Sequence, residues 1–231
     1  MMKKAVEKCL GKIIVSCQAY QDTPLYGADN MKRMVECALQ GGAEAVRCCW
    51  PQDIKAVRSI GNDFVIVGID KTTSSEFSSM DDIFITPTFE SAKKVVEAGA
   101  DIIALDARLT KKRGKEELYK LLSEIHEAYP DIPVMADCST YEDGMFAYET
   151  GLVDIVSTTL SGLVNKMDGP DIELLKKYKK DIPLPINAEG RIWDLNDLDL
   201  VKACNPDMIT IGTAITRPHL ITKRFIDHYN K

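Results

Sequence analysis

A length of 231 residues fits a single α/β barrel, and a hydrophobic share of 45% is enough for a large core. The formal net charge of −6, with basic residues spread along the chain, argues against a protein that binds nucleic acid. No stretch approaches the ~18 consecutive apolar residues of a membrane span, and the charged, amphipathic start does not resemble a signal peptide.

Short apolar runs alternate with helical stretches along the whole chain, and each run ends on a polar residue or a glycine. Runs this apolar suit strands that are covered on both faces, as in parallel sheets. The pattern predicts one domain over residues 1–231, a single (β/α)₈ TIM barrel whose short N-terminal helix closes the barrel bottom. The competing fold is an open doubly wound sheet, but no GxGxxG motif follows the first run. The predicted strands are 12–18, 44–49, 64–71, 101–106, 132–137, 154–158, 184–189 and 207–212.

Local signals place helices between several of these strands. Gly41 and Gly42 can end a helix, because glycine tolerates the positive φ of a C-terminal cap. Pro51 suits the first turn of another helix, where its missing N–H is not needed. The predicted helices are 29–40, 90–99, 115–129 and a last one that starts at Pro218 and ends near His228.

Two loops differ from the regular repeat. The segment 72–82 is long and rich in Ser and Thr, and it leads into 83–86, which has the pattern of a short strand. A loop of this length in a compact domain is often functional. The segment 111–115 is the densest basic stretch, and we interpret it as a solvated loop; a polyanion site is the alternative.

The C-terminal ends of the strands in such a barrel share one rim, which carries the active site. Gln18 at this rim could fix a sugar hydroxyl by hydrogen bonds, or it could simply be a satisfied polar residue at a strand end. The apolar runs themselves close on Gln18, Arg47, Lys71, Asp106, Asp137, Thr158, Glu189 and Gly212.

Lys71 follows the apolar run FVIVGI plus one aspartate, and it is poorly placed for solvent. Burial favours the neutral amine, because water no longer supports the charge. A neutral amine can act as a base or form a Schiff base. The alternative is a structural ion pair with Asp70, although neighbouring positions on a strand point to opposite faces.

Three carboxyl groups, Asp106, Asp137 and Glu189, also close predicted strands. Such a group can serve as a general acid if its pKa rises, or as an orienting base if it stays charged. The three together could instead bind a divalent metal ion. Arg47 and Lys71 at the same rim favour neutralisation by protein cations, so we predict no metal.

The last two strands carry the pattern of a phosphate site. Barrels commonly bind phosphate with the loops after strands seven and eight, where glycine lets backbone N–H groups approach the anion. Here those loops hold Gly190, Arg191, Gly212 and Thr213, and Arg191 or Arg217 could add a fork of donors. The alternative is that both glycines are ordinary turn residues.

The seven cysteines are scattered, odd in number and without a CxxC pair. This pattern predicts reduced cysteines and therefore a cytoplasmic protein. Cys48 and Cys49 are adjacent on a predicted strand, so their side chains should point to opposite faces. The three dispersed histidines argue against a zinc site.

Several runs, taken together in this order, form a recognisable set. They are IVSCQ (14–18), VR (46–47), GIDK (68–71), ITPT (85–88), ADIIALD (100–106), MAD (135–137), TTLSG (158–162), AEG (188–190) and GTAITRP (212–218). From about residue 12 to the C-terminus, the chain resembles the N-acetylmannosamine-6-phosphate 2-epimerases of bacterial sialic acid catabolism. The resemblance implies a barrel enzyme that interconverts N-acetylmannosamine 6-phosphate and N-acetylglucosamine 6-phosphate without cofactor or metal, as a homodimer.

The resemblance also implies roles for individual positions. The catalytic lysine and glutamate fall on Lys71 and Glu189, and the substrate-orienting arginine and aspartate on Arg47 and Asp137. The substrate-binding positions are Gln18, Gly190, Arg191, Gly212, Thr213 and Arg217. The chain departs from the family pattern at Asp70, at Leu163 and in the segment 108–114.

Two other functions stay open at this point. A Schiff-base aldolase would use Lys71 as a nucleophile on a phosphosugar. A non-catalytic phosphosugar sensor would bind the sugar without exchanging its C2 proton. The family resemblance favours the epimerase over both.

Overall fold

The computed structural model describes residues 2–72 and 79–231. Its parallel strands form a closed barrel in which each strand pairs with its neighbours in chain order and the last pairs with the first. This confirms the predicted (β/α)₈ barrel. The strands are β1 (Ile13–Cys17), β2 (Ala45–Cys49), β3 (Val65–Ile69), β4 (Ile102–Asp106), β5 (Val134–Asp137), β6 (Ile155–Ser157), β7 (Ile186–Glu189) and β8 (Met208–Ile211).

Helices surround this barrel, and Pro51 opens one of them at its first position, as predicted. No helix in the described part of the chain is long and apolar enough to cross a membrane. The helices are α1 (Lys4–Cys9), α2 (Ala28–Gln40), α3 (Pro51–Arg58), α4 (Phe89–Glu97), α5 (Lys115–Ala128), α6 (Tyr141–Glu149), α7 (Ser161–Val164), α8 (Ile172–Asp181), α9 (Leu195–Ala203), α10 (Thr213–Thr216) and α11 (Pro218–Tyr229).

Alternate residues of each strand pack into two different apolar layers. On β2, Ala45 and Cys49 belong to the cluster inside the barrel, whereas Val46 and Cys48 belong to the cluster between strands and helices. The two adjacent cysteines therefore face opposite sides, as predicted. Because side chains alternate along a strand, Arg47 must point into the barrel. The same alternation of inward and outward side chains decides which residue at the end of every strand faces the rim.

Helix α1 packs against the interior cluster. Its Val6 and Cys9 are buried with the inward-facing residues of the strands. Just before the helix, Lys3 Nζ donates to Asp154 Oδ2 at 3.2 Å and to the carbonyl oxygen of Ile132 at 3.0 Å. These contacts anchor the start of the chain to the barrel.

The third predicted strand ends earlier than expected, and 83–86 is not a strand. β3 stops at Ile69, and beyond it Lys71 forms only an isolated antiparallel bridge with Ile85. The segment around Thr86 folds back onto the chain after β3 and occupies its backbone hydrogen-bonding groups, since the N–H of Thr86 donates to the carbonyl of Asp70 at 2.7 Å. Thr86 then turns the chain with a φ of 45°, which a strand cannot continue. Most of the predicted loop 72–82 lies outside the described residues.

The prediction of a solvated loop at 111–115 is wrong for Arg113. Lys111 and Lys112 are exposed, but only 6% of Arg113 is accessible. Its guanidinium lies 3.5 Å from the carboxylate of Asp106, which is fully buried. A buried carboxylate requires paired cations, and this requirement draws Arg113 inward.

Candidate active site

A cavity of about 230 Å³ opens at the C-terminal rim of the barrel. It brings together residues that are far apart in the sequence, and nearly all the predicted site residues line it. Asp137 is the exception, because it lies fully buried behind Arg47. The predicted residues in the wall are Gln18, Arg47, Lys71, Glu189, Gly190, Arg191, Gly212, Thr213 and Arg217.

The strands aim these side chains by the same alternation that builds the core. On β7, Ile186 and Ala188 pack in the outer apolar layer, so Glu189 faces the barrel axis. On β5, Met135 belongs to the interior cluster, and Asp137 follows it two positions later on the same face. The apolar runs of the sequence therefore place the polar residues at their ends.

Arg47 crosses the barrel and joins two carboxyl groups. Its side chain is 1% exposed. The guanidinium donates to both oxygens of Asp137, at 3.1 and 2.5 Å, and to Glu189 Oε2 at 3.1 Å. A bidentate pair of this kind fixes orientation as well as charge. One arginine charge thus faces two carboxyl groups in a site shielded from water.

Burial and the neighbouring charges of Arg47 and Asp137 together shift the pKa of Glu189. Burial raises its pKa, and the negative charge of Asp137 raises it further. The charges of Arg47 and Lys71 and a hydrogen bond from Thr159 act in the opposite direction. The net shift of the pKa is upward. Glu189 therefore has more neutral acid near pH 7 than an exposed glutamate.

A chain of neutral polar groups runs beneath the two carboxyl groups, and the sequence analysis assigned it no role. Thr159 Oγ1 lies 2.7 Å from Asp137 Oδ1 and 3.1 Å from Glu189 Oε2. Ser157 Oγ is 2.7 Å from the same Thr159 hydroxyl and accepts from Asn187 Nδ2 at 2.8 Å. Ser157 and Asn187 have the inward parity of their strands, which was the available signal.

Lys71 is half-buried and is held by two neutral oxygens. Its Nζ donates to Gln18 Oε1 at 2.8 Å and to the hydroxyl of Tyr20 at 3.0 Å. No carboxylate of residues 2–72 or 79–231 lies within ion-pair distance of this nitrogen. The alternative of an ion pair between Lys71 and Asp70 is not seen. Burial raises the pKa of Asp70, and the cation whose charge lowers that pKa is Lys94 on α4.

The loops after β7 and β8 form the other side of the cavity. Gly190 has a φ of 116°, which glycine adopts without strain. The hydrogen bonds of the described residues include none donated by the backbone N–H groups of Gly190, Arg191, Gly212 or Thr213. All four residues line the cavity, so their N–H groups are the candidate main-chain donors on this side.

The two arginines of this side are already engaged. The Arg191 guanidinium donates to the carbonyl oxygens of Asn165 and Met167, the second at 3.0 Å. It therefore ties down the segment between α7 and α8. The Arg217 guanidinium lies 5.1 Å from the ring centroid of Tyr20, within the range of a cation–π contact.

Asp106 does not join the other carboxyl groups, although it closes a strand as predicted. Arg108 Nε and Nη2 donate to its two oxygens, at 3.0 and 2.8 Å, and Arg113 lies on its other side. Within the described residues, no group of three or more His, Cys, Asp or Glu side chains is arranged to hold a metal ion. The alternative set of three carboxylate ligands is therefore not assembled in the described part of the chain.

Comparison with known proteins gives consistent matches over nearly the whole chain. A model of the family described as "Putative N-acetylmannosamine-6-phosphate epimerase" matches residues 31–231. A relative from Caldanaerobacter subterraneus, named "Putative N-acetylmannosamine-6-phosphate 2-epimerase", is 39% identical over 229 residues, covering 98% of this chain and 94% of the relative. A relative of the same name from Clostridioides difficile is 36% identical over 224 residues, covering 96% and 97%.

Solved structures agree with these matches. The N-acetylmannosamine-6-phosphate 2-epimerase from Clostridium perfringens superposes with a TM-score of 0.86 at 35% identity, covering 96% of this chain and 95% of that one. The aldolase QR15 superposes with a TM-score of 0.66 at 16% identity, which shows a common fold and nothing more. The extent and identity of the matches show that this chain belongs to the N-acetylmannosamine-6-phosphate 2-epimerase family.

Proposed function

We propose that this chain interconverts N-acetylmannosamine 6-phosphate and N-acetylglucosamine 6-phosphate by removing and returning the proton at C2 of the open-chain sugar. The observation that carries the proposal is an amine and a carboxyl group, Lys71 and Glu189, in the wall of one cavity. The relatives are named for a 2-epimerase activity on N-acetylmannosamine 6-phosphate.

Loss of the C2 proton, which lies next to the aldehyde, gives an enediolate-like intermediate, and reprotonation on the other face inverts the centre. This chemistry needs a base, an acid and a donor for the carbonyl oxygen. Lys71 follows β3 and Glu189 ends β7, and these strands are four apart in a closed barrel of eight. The two groups therefore approach a sugar between them from opposite sides. In our proposal Lys71 removes the proton on one face and neutral Glu189 returns one on the other.

The hydrogen-bond inventory supports a neutral Glu189. The hydroxyl of Thr159 has one proton but lies within hydrogen-bond distance of two carboxyl oxygens, and the contact to Asp137 is the shorter. Asn187 donates to Ser157, which leaves the Ser157 proton for Thr159. If Thr159 donates to Asp137 and not to Glu189, the hydrogen bond that lowers the pKa of Glu189 is absent, and a protonated Glu189 can donate to the Thr159 oxygen. Arg47 balances the charge of Asp137, and the two together orient Glu189.

Exchange of the C2 proton with solvent tests this proposal. Incubation of N-acetylmannosamine 6-phosphate with the enzyme in D₂O should give product with deuterium at C2, while unreacted substrate keeps its hydrogen at early times. NMR of both sugars measures this. Deuterium in both pools at early times would contradict the two-group assignment. No exchange at all would indicate a phosphosugar sensor and refute the proposed function.

The aldolase alternative predicts a covalent step at Lys71. A Schiff base forms when the amine attacks the sugar carbonyl with loss of water, and borohydride traps it irreversibly. We expect that borohydride with substrate leaves the enzyme active and without an adduct by mass spectrometry. A sugar adduct on Lys71, with loss of activity, would favour the aldolase.

On the phosphate side, we propose that the 6-phosphate binds the backbone N–H groups of Gly190, Arg191, Gly212 and Thr213. Support comes from the four candidate donors in the cavity wall and from the position of these loops after strands seven and eight. Arg217 or Arg191 completes the site, while Gln18 contacts the sugar as well as Lys71.

Gly212→Ala should raise KM for the phosphorylated sugar by about tenfold or more, the effect of losing one hydrogen bond to a charged group. A Cβ at this position would lie 3.2 Å from the Cβ of Ser16 and would displace the loop. Gly114→Ala is a matched control, because its Cβ would meet Oε2 of Glu117 at a similar 3.1 Å, outside the cavity. Steady-state kinetics with phosphorylated and unphosphorylated sugar measures the effect. Equal losses on both sugars would place the phosphate elsewhere.

We further propose that the reaction needs no metal ion or other cofactor. Asp106 is paired with Arg108, and Asp137 with Arg47, so protein cations already neutralise these carboxylates. Dialysis against a strong chelator should leave the rate of C2 exchange unchanged. Activity that is lost on chelation and restored by Mg²⁺ or Mn²⁺ would overturn this assignment.

A homodimer is the assembly that we propose, in a cytoplasmic setting that suits seven free thiols. Helix α11 has no buried residue, and Phe225 and Tyr229 are 74% and 90% exposed. The same chain has an open groove of about 520 Å³ beside β1 and α2, lined mainly by apolar side chains such as Met34. A helix with exposed apolar side chains and an unfilled apolar groove on one chain fit an isologous interface between two copies.

Light scattering on the purified protein tests the assembly. The wild type should have twice the chain mass, and Phe225→Glu should shift it toward the monomer. Lys223→Glu is the control, because Lys223 lies on the opposite side of the same helix from Phe225 and is exposed. A monomeric wild type at micromolar concentration would refute the homodimer.

A further inference from the structure

We propose that Tyr20 is a positioning residue that aims the Lys71 amine and links it to the phosphate side of the cavity. The proposal rests on the proposed function, because it gives Lys71 and Arg217 their roles. Tyr20 is not among the residues that form the main cavity wall, so it acts through its two neighbours and not by touching the sugar.

Lys71 needs such support because the barrel ladder does not reach it. β3 ends at Ile69, and Lys71 takes part only in an isolated bridge with Ile85. A half-buried lysine side chain has many rotamers, and fixing one of them requires specific partners. The partners of Nζ among the described residues are Gln18 and Tyr20, at 2.8 and 3.0 Å.

The contact between Lys71 and Tyr20 is a hydrogen bond to the hydroxyl, not a contact with the ring face. Nζ lies 3.0 Å from the hydroxyl oxygen but 5.5 Å from the ring centroid. The nitrogen therefore sits beyond the hydroxyl end of the ring. A neutral amine has two N–H groups and one lone pair, and the oxygens of Gln18 and Tyr20 take both N–H groups. The lone pair is left for the C2 proton.

The ring of Tyr20 has a different neighbour. The Arg217 guanidinium carbon lies 5.1 Å from its centroid, so the ring holds the arginine while the hydroxyl holds the lysine. One rigid side chain thus sets the distance between the base and a candidate phosphate ligand. In our proposal this coupling keeps the base and the phosphate ligand in a constant arrangement.

Trp50 holds Tyr20 in this position and closes the unit. The two rings meet edge to face, with centroids 5.7 Å apart at 84°. The indole Nε1 of Trp50 also donates to the carbonyl oxygen of Lys71 at 3.0 Å. The aromatic pair therefore contacts Lys71 at two points, with Trp50 bonded to its main-chain oxygen and Tyr20 to its amine.

The test separates the hydroxyl from the ring. Tyr20→Phe keeps the ring and removes the acceptor; we expect kcat to fall by up to about tenfold, the typical effect of one hydrogen bond, with KM nearly unchanged. Tyr20→Leu removes both, and we expect the same fall in kcat together with a higher KM and weaker binding of inorganic phosphate. Tyr26→Phe is the matched control, since Tyr26 also packs on Trp50, at 6.2 Å, but its hydroxyl contacts Gln21.

Three results would overturn the assignment. They are an unchanged kcat in Tyr20→Phe, an equal loss in Tyr26→Phe, and a rise in KM without a fall in kcat in Tyr20→Phe. Thermal unfolding of each variant identifies losses that come from misfolding, and C2 exchange in D₂O must fall in parallel with kcat. A wild type without C2 exchange would refute the proposed function, whereas normal wild-type exchange with an unaffected Tyr20→Phe refutes only the role of Tyr20.

Discussion

Replacing Lys71 with alanine is expected to abolish turnover while the phosphorylated sugar still binds. Lys71 is the amine in the cavity wall, held by Gln18 and Tyr20, and loss of a general base typically costs ~10²–10⁴-fold in rate. The phosphate-side donors of the loops after β7 and β8 stay in place. The dissociation constant of the sugar phosphate should therefore change little while kcat collapses.

Single-turnover kinetics and calorimetry on the same preparation measure the two effects separately. Lys120→Ala is a suitable control, because this lysine is 78% exposed on α5 and forms an ion pair with Glu124 of the same helix. Retention of more than a tenth of wild-type kcat by Lys71→Ala would show that another group is the base. A loss of binding as large as the loss of kcat would show that Lys71 is a substrate ligand instead.

The strand pattern predicted part of the set of residues that meet at the rim, but not the places of Asp106 and Thr158. Arg47, Asp137 and Glu189 each come one position after a residue that packs outward, so the alternation of side chains points all three to the barrel axis. The closed barrel then brings them within hydrogen-bond distance although 90 and 142 positions separate Arg47 from its two partners. The alternation of side chains along a strand and the closure of the barrel both follow from the strand pattern, so the sequence predicts them.

Residues beyond the strand ends were harder to predict, because no periodicity governs them. The sixth run was taken to close on Thr158, but its hydroxyl donates to the main-chain oxygen of Glu189, and Thr159 is the residue that reaches the carboxyl groups. Tyr20 lies in the loop after β1, and its contacts depend on how that loop folds toward Trp50. For Thr159 and Tyr20, the neighbouring residues in the sequence do not indicate which side chains they contact.

The basic loop 111–115 is a second case in which a local sequence pattern did not predict a tertiary contact. Composition predicted solvated charges at 111–115, whereas the buried Asp106 draws Arg113 out of that loop and inward. Arg108 reaches the same carboxylate and also the carbonyl oxygens of Met80 and Asp82, at 2.8 and 2.6 Å. A tertiary ion cluster therefore overrides the local pattern. Charge density along a chain predicts solvation only where no buried counter-charge is near.

Arg47→Met should both destabilise the barrel and stop the reaction. The arginine is 1% exposed and its partner Asp137 is fully buried, so the substitution leaves buried carboxyl groups without a cation. Removing one partner of a buried pair typically costs about 3–5 kcal/mol of the free energy of unfolding. Turnover is lost as well, because Arg47 no longer holds Glu189 at 3.1 Å.

The loss of stability should depend on pH, and the direction follows from Glu189. Its pKa in the folded protein is already raised by burial, and Arg47 opposes that rise, so the variant raises it further. A carboxyl group with a raised pKa binds its proton more tightly when folded, and the folded state loses stability as pH rises. The deficit of Arg47→Met should therefore be larger near pH 8 than near pH 5, with the wild type measured in parallel.

A second substitution distinguishes stability from chemistry. Arg47→Met with Asp137→Asn removes the uncompensated charge, and we expect it to recover part of the unfolding free energy without recovering turnover. Lys176→Met serves as the control, because this exposed ion pair with Glu173 should contribute at most ~1 kcal/mol. Denaturant unfolding and C2 exchange measure the two properties on each variant. A double variant that regains turnover along with stability would mean that Arg47 supports only the fold, and that Glu189 does not depend on it for its catalytic geometry.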